Sequence, residues 1–321
     1  MKELTKAVCR RDGVISRRAF IGKAVGTAIA VSAAASLTRG QDTTSPKPNR
    51  KFKLRYAPSL GQFKNHAGSD PIDNIKFAAD EGFRAMFDNG FMGKSPGQQE
   101  AIAREMARLD MTLGPFIAYA EFGKATFVTG DKEVRTMLAD KMKQAVEVKK
   151  RTGAKWALIV PGRYDEKLQW NYQTANVIEN LKYCAEVCEP SGLVMVIEPL
   201  NTLRNHPGVF LTGIPQAYQI CRAVGSPSCK IVNDLYHQQI TEGNLIPNID
   251  MAWGEIAAFH VGDNPGRKEP TTGEINYGNI FKHIHQKGYD GVLCMEHGAS
   301  KGKTKEAERA VIDAYRACDD F

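Results

Sequence analysis

The 321-residue chain is 42% hydrophobic and 25% charged, a balance that suits one large packed domain and excludes a disordered or low-complexity protein. Its formal charge of +7 is unevenly placed: residues 1–39 hold eight of the 43 Lys and Arg and two of the 36 acids, which leaves +1 for residues 40–321. A nucleic-acid partner inferred from overall basicity is thereby excluded, and seven scattered cysteines with no CxxC exclude a disulfide-dense scaffold.

In chain order, "SRRAFIGK" (16–23) comes first and is followed by the apolar, small-residue run "AVGTAIAVSAAASL" (24–37). That run falls short of the roughly 20 residues needed to span a bilayer. A basic stretch, a short apolar region and small residues near Ala33 to Ala35 predict an export signal over residues 1–39. Arg17 and Arg18 directly before it, with Phe20 close behind, make it twin-arginine in type. The expected location is periplasmic or otherwise extracytoplasmic, with no stable membrane partner beyond the export machinery; an uncleaved leader acting as a membrane anchor is the alternative. Residues 40–51, including "TTSPKPNRK", read as a linker.

From residue 52, short β-rich runs alternate with longer amphipathic stretches. "KLRYAPS" precedes "DPIDNIKFAADEGF", "RAMFDNG" precedes "SPGQQEAIAREMARLD", and "TLGPFIAYA" precedes "DKEVRTMLADKMKQAVEVKKRTG". "KWALIVPG", "LVMVIEP", "KIVNDLY", "IAAFHVGD" and "GVLCMEHG" follow, each ahead of its own helical stretch, for eight strand–helix units in all. The strands are continuous apolar runs, as expected where helices cover a parallel sheet. Eight units in residues 52–321 predict a single-domain α/β fold, a (β/α)8 TIM barrel. A doubly wound open sheet competes, but no G-x-G-x-x-G follows the first strand. Cys184 and Cys188 share a helical face, and the six cysteines beyond the leader read as buried or half-buried thiols.

Side chains at the C-terminal ends of barrel strands converge on one mouth. Glu198 ends the fifth strand, Asp234 the sixth, His260 the seventh and Glu296 the eighth. Adjacent strands lie about 4.8 Å apart, so four such ends can share one small space. Three crowded carboxylates repel and raise one another's pKa unless a cation holds them. The set therefore calls for one divalent metal ion, with Mn²⁺ or Mg²⁺ first and Co²⁺ or Zn²⁺ also accommodated. His237 lies one turn beyond Asp234, and Arg267 follows His260 in "HVGDNPGRKEPTTGEINY"; both are supporting candidates, and an Arg at a barrel mouth offers a forked, permanently charged donor suited to a carboxylate, phosphate or vicinal oxygens. His206 and Glu121 are secondary candidates, and His283 and His285, within a helical stretch, read as structural.

The pieces "IEPLN", "NDLYHQQITEGNL", "HVGDNPGRKEPTTGEINY" and "GYDGVLCMEH" resemble the xylose isomerase-like barrel superfamily of sugar isomerases and epimerases, and within it the hydroxypyruvate isomerase family. The resemblance covers roughly residues 190–300, and "GRKEPTTGEINY" is its most specific part. It implies a divalent metal on Glu198, Asp234, His260 and Glu296, with Glu198 and Glu296 also the catalytic acid and base, and substrate contacts at His237 and Arg267. The substrate expected is a small sugar or hydroxy-keto acid, isomerised through an enediolate. One position departs from the pattern: hydroxypyruvate isomerases carry glutamine where His260 stands, and ketose 3-epimerases carry histidine. Alternatives kept open are a ketose 3-epimerase, an inosose dehydratase-like lyase, metal-dependent hydrolysis and an exported non-catalytic sugar-binding protein. A homo-oligomer is compatible with all of them.

Overall fold

The computed structural model describes residues 50–321; the expected signal peptide and most of the linker lie outside the described residues. Nine strand segments occupy eight barrel positions: β1 (Arg55–Ala57), β2 (Ala85–Met86), β3 (Thr112–Leu113), β4 (Phe116–Glu121), β5 (Trp156–Pro161), β6 (Val194–Ile197), β7 (Cys229–Asp234), β8 (Ile256–Val261) and β9 (Val292–Met295). Seven run parallel in the order β1-β9-β8-β7-β6-β5-β4, and β2 and β3 form a second parallel pair. The two pieces are stitched together by backbone bonds. Phe87 N–H donates to Pro58 O at 3.1 Å, Leu60 N–H to Phe87 O at 3.0 Å, and Ile117 N–H to Asn89 O at 3.2 Å.

β3 and β4 were expected as one strand and are split by Gly114-Pro115. Pro115 has no N–H to give a ladder. Gly114 donates to Met86 O at 2.8 Å and lies so close to its neighbours that an added Cβ would sit 2.8 Å from the Cβ of Phe87 and 3.1 Å from Cys294 Sγ.

Helices cover the outside of the sheet, and their starts follow from local chemistry. After the one-turn α1 (Lys64–Ala67), Asp70, with Pro71 behind it, caps α2 (Pro71–Asp80) by accepting from Ile72 N–H. Ser95 and Gln98 form a capping box on α3 (Pro96–Arg108), and Asp131 accepts from Glu133 and Val134 at the start of α4 (Lys132–Thr152). α5 (Trp170–Cys188), α6 (Ile214–Val224), α9 (Tyr277–Gln286) and α10 (Lys305–Cys318) follow their strands as expected, whereas the sixth unit carries two short helices, α7 (Leu235–Thr241) and α8 (Leu245–Ala252). The six described cysteines are free and buried. His283 pairs with Asp250 at 2.8 Å and the His285 ring packs on Phe321, both away from the strand ends. No helix among the described residues is long and apolar enough to cross a membrane.

The barrel interior decides where the chemistry goes. Val196, Val232, Ala258, Val292 and Cys294 pack inside it, in a cluster separate from the larger core between sheet and helices. Strand side chains alternate faces with period two. Two residues beyond Val196, Val232, Ala258 and Cys294 stand Glu198, Asp234, His260 and Glu296. The top layer of the interior is therefore polar while the layers beneath are apolar.

Candidate active site

The pairing of β7 with β8 sets Asp234 beside His260, and that of β8 with β9 sets His260 beside Cys294, one step before the final Glu296 layer. His260, fully buried, holds Nδ1 2.8 Å from Glu198 Oε1 and 3.1 Å from Glu296 Oε2. Asp234 does two jobs at once, because it ends β7 and caps α7: its Oδ1 accepts from His237 N–H at 3.0 Å. Its Oδ2 is left facing the mouth, 3.5 Å from the Arg267 guanidinium and 3.6 Å from His237 Nε2. Ligand-capable atoms of Glu198, Asp234, His260 and Glu296 all lie within 4.8 Å of one another, and only Glu296 is not fully buried.

Burial and mutual charge set the protonation of these groups. Burial pushes Glu198 up to about 7 against the pull of His260. Burial also acts to raise Glu296, but the charges of His260 and Arg267 and bonds from His260 and Asn89 hold it well below the usual carboxylate range. Burial works to lower His260, and the flanking Glu296 and Glu198 overcome it, so the imidazole lies well above its ordinary value.

Both expected substrate-binding residues stand at this mouth. Arg267 donates to Glu296 Oε2 at 2.9 Å and lies over the Tyr236 ring at 4.9 Å. Its backbone takes a left-handed φ of 49°, which the surrounding loop holds in place. Asp263 accepts from Gly273 and Ile275 N–H, Arg267 N–H donates to Asp263 O at 2.7 Å, and Glu269 accepts from Ser300 N–H at 2.8 Å, tying this loop to the one after β9. His237 is buried, and burial lowers its pKa, so it is neutral at pH 7.

Of the secondary candidates, His206 comes near: its ring lies 5.2 Å from that of His237 and stacks on Phe122 at 4.9 Å. Burial lowers its pKa to about 4. Glu121 does not join the cluster, since its Oε1 is occupied by the N–H groups of Phe122, Gly123 and Lys124. Two residues were not anticipated. Asn89, in the loop after β2, donates to Glu296 Oε1 at 2.9 Å, and Asn201, three residues beyond Glu198, contacts His237. Each also lies just past a strand end, the same positional signal that marked the four cluster residues.

Residues 75–318 match the family described as Xylose isomerase-like TIM barrel. The chain belongs to that family. It is 37% identical to the hydroxypyruvate isomerase of Escherichia coli (strain K12) over 142 residues, 44% of this chain and 54% of that protein. It is 34% identical to the 2-oxo-tetronate isomerase of Cupriavidus necator over 128 residues, 40% of this chain and 49% of that protein. The chain thus spans about half the length of the curated relatives it matches. Among solved structures, one described as AP endonuclease, family 2, from Brucella melitensis superposes with a TM-score of 0.67 at 26% identity, covering 79% of this chain and 96% of that one.

For this member of the family, the donor set fits a metal ion. Three carboxylates and one imidazole converge in a buried space, and their negative charge exceeds what Arg267 and a protonated His260 offset. Oxygen donors with one nitrogen suit a hard or borderline divalent cation. His237 Nε2 and the Arg267 guanidinium stand beside the cluster, 3.6 and 3.5 Å from Asp234 Oδ2.

Proposed function

We propose that the barrel is a divalent-metal-dependent isomerase that moves a proton between carbons of a small α-hydroxycarbonyl compound, a sugar or hydroxy-keto acid of the hydroxypyruvate or 2-oxo-tetronate kind. The observation that carries this reading is the pair Glu198 and Glu296, which close from two strand ends on a shared His260 Nδ1 at 2.8 and 3.1 Å, with Asp234 in the same cluster. The names of the two curated isomerase relatives support it.

Glu198, Asp234, His260 and Glu296 would hold the ion, Mn²⁺ or Mg²⁺ by the hardness of the donors; when bound, it supplies Lewis-acid polarisation of a carbonyl and its neighbouring hydroxyl. One glutamate removes a proton from the carbon beside the carbonyl and the other delivers a proton to complete the exchange. His237 donates a hydrogen bond to the enediolate oxygen, and Arg267 orients the far end of the substrate by its forked guanidinium. A second reading, ketose 3-epimerase, is favoured by the histidine at position 260: with the same residues, return of the proton to the carbon it left, from the opposite face, epimerises rather than isomerises.

The test is incubation with Mn²⁺ and a panel of hydroxypyruvate, 2-oxo-tetronate and ketoses in D₂O. Deuterium on the neighbouring carbon identifies an isomerase, deuterium on the original carbon with inversion an epimerase, and no incorporation from any substrate overturns proton transfer altogether. We also propose export through a twin-arginine signal, on the strength of Arg17 and Arg18 before the apolar run. Fractionation checks it: the double substitution R17K/R18K is expected to retain the protein in the cytoplasm, and unchanged distribution would refute it.

A further inference from the structure

We infer that Asn201 is a positioning residue that locks His237 in the tautomer carrying its proton on Nε2, so that a hydrogen-bond donor faces the acidic cluster. Asn201 is fully buried in the loop after β6. Its own orientation is unambiguous, because Oδ1 accepts from the N–H groups of Arg204 at 3.0 Å and Asn205 at 3.3 Å. Only the other end of the amide, Nδ2, can then face inward, where it donates to Asn205 Oδ1 at 3.0 Å and lies 2.6 Å from His237 Nδ1. The Asn201 backbone N–H also points at Nδ1, at 3.2 Å. Tyr236 extends the chain by donating its hydroxyl to Asn205 Oδ1 at 3.1 Å.

Two donors converge on Nδ1, one of them a backbone N–H that has no alternative role. A neutral imidazole has one donor and one acceptor nitrogen, so Nδ1 is the acceptor and Nε2 carries the proton. Nε2 is buried and makes no hydrogen bond among the described residues, with Asp234 Oδ2 3.6 Å away. A buried donor left unpaired is costly, which is the mark of a group reserved for an incoming acceptor. That acceptor is a substrate oxygen bound beside the cluster. The other tautomer would set an N–H against two donors and turn a lone pair toward Asp234, abolishing any stabilisation of negative charge on substrate.

The proposal rests on the proposed proton-transfer activity only for its rate readout. The direct test is a long-range ¹H–¹⁵N spectrum of the Mg²⁺-loaded, ¹⁵N-histidine-labelled protein, with the His237 resonances identified by their loss in His237→Gln. An unprotonated Nδ1 and a protonated Nε2 are expected; a protonated Nδ1 overturns the inference. Two substitutions then separate positioning from filling space. Asn201→Asp keeps the acceptor used by Arg204 and Asn205 but puts a carboxylate oxygen against Nδ1; it is expected to move the proton to Nδ1 and lower substrate deuterium exchange about 100-fold. Asn201→Ala keeps the backbone donor and is expected to cost about 10-fold or less while leaving Nε2 protonated. The reverse order, with the isosteric Asp variant the milder and no change in the ring spectrum, would assign Asn201 a packing role alone. An Nε2-protonated His237 in a protein that exchanges no substrate deuterium would uphold the tautomer and overturn the activity, so the two readings fail separately.

Discussion

The two halves of the barrel are built alike and furnished differently. β6 to β9 lead into Glu198, Asp234, His260 and Glu296, while β1 to β5 lead into prolines, Phe87 and a Glu121 that is tied up by its own loop. The first half contributes to the mouth chiefly through Asn89 on Glu296 and the Phe87 ring, 6.1 Å from that of His260. The lesson is a division of labour: the second half carries the charges, and the first closes the barrel around them and steadies one glutamate.

The contrast is broken most sharply at the glutamates. Glu198→Gln or Glu296→Gln is expected to lower substrate deuterium exchange by about 10²- to 10⁴-fold, the usual range for an acid or base. A loss smaller than 10-fold in both would show that the charged half is not the seat of proton transfer. Next comes the metal. Addition of Mn²⁺ at 100-fold its dissociation constant is expected to stabilise the chelator-treated protein by about 2.7 kcal/mol. Thermal unfolding with and without the ion reads this, and Asp234→Asn should remove most of the rise. If the variant's melting temperature responds to Mn²⁺ as the wild type does, Asp234 is not a ligand.

The first half is expected to respond in stability rather than chemistry. Gly114→Ala places a methyl 2.8 Å from the Cβ of Phe87, and should cost about 1–3 kcal/mol in denaturant unfolding. Asn89→Ala removes one bond to Glu296 and should lower exchange by about 10-fold, far less than loss of the glutamate itself. The smallest effect concerns pH. Burial lowers His297 to about 4, below its value in the unfolded chain, so its contribution is present above about pH 6.5 and is lost as pH falls toward 4. His297→Gln should flatten part of the fall in unfolding midpoint over that window; an unchanged slope would mean that other groups govern it.

Much of this was legible in one dimension. Continuous apolar runs ahead of amphipathic stretches specified parallel strands under helices, and eight of them specified closure. Glu198, Asp234, His260 and Glu296 could be picked out because the period of a strand is local: each lies two residues past an inward-facing side chain, and equivalent strand ends in a barrel meet. Gly114-Pro115 was equally visible, but its consequence was not, since the close approach of Phe87 and Cys294 depends on strands far away in sequence.

What only the tertiary structure decided was direction. Nothing in the local sequence says that Asn89 turns to Glu296, that Glu121 turns into its own loop, or that Asn201 aims two donors at His237. A strand's alternation assigns side chains to one face or the other, whereas loops have no such period, and their polar groups go wherever a buried partner would otherwise stay unsatisfied. The sequence by itself determined the fold and the identity of the charged cluster; the packing of the loops decided the protonation, orientation and company of each charge, because those depend on burial and on neighbours that the chain brings together only when folded.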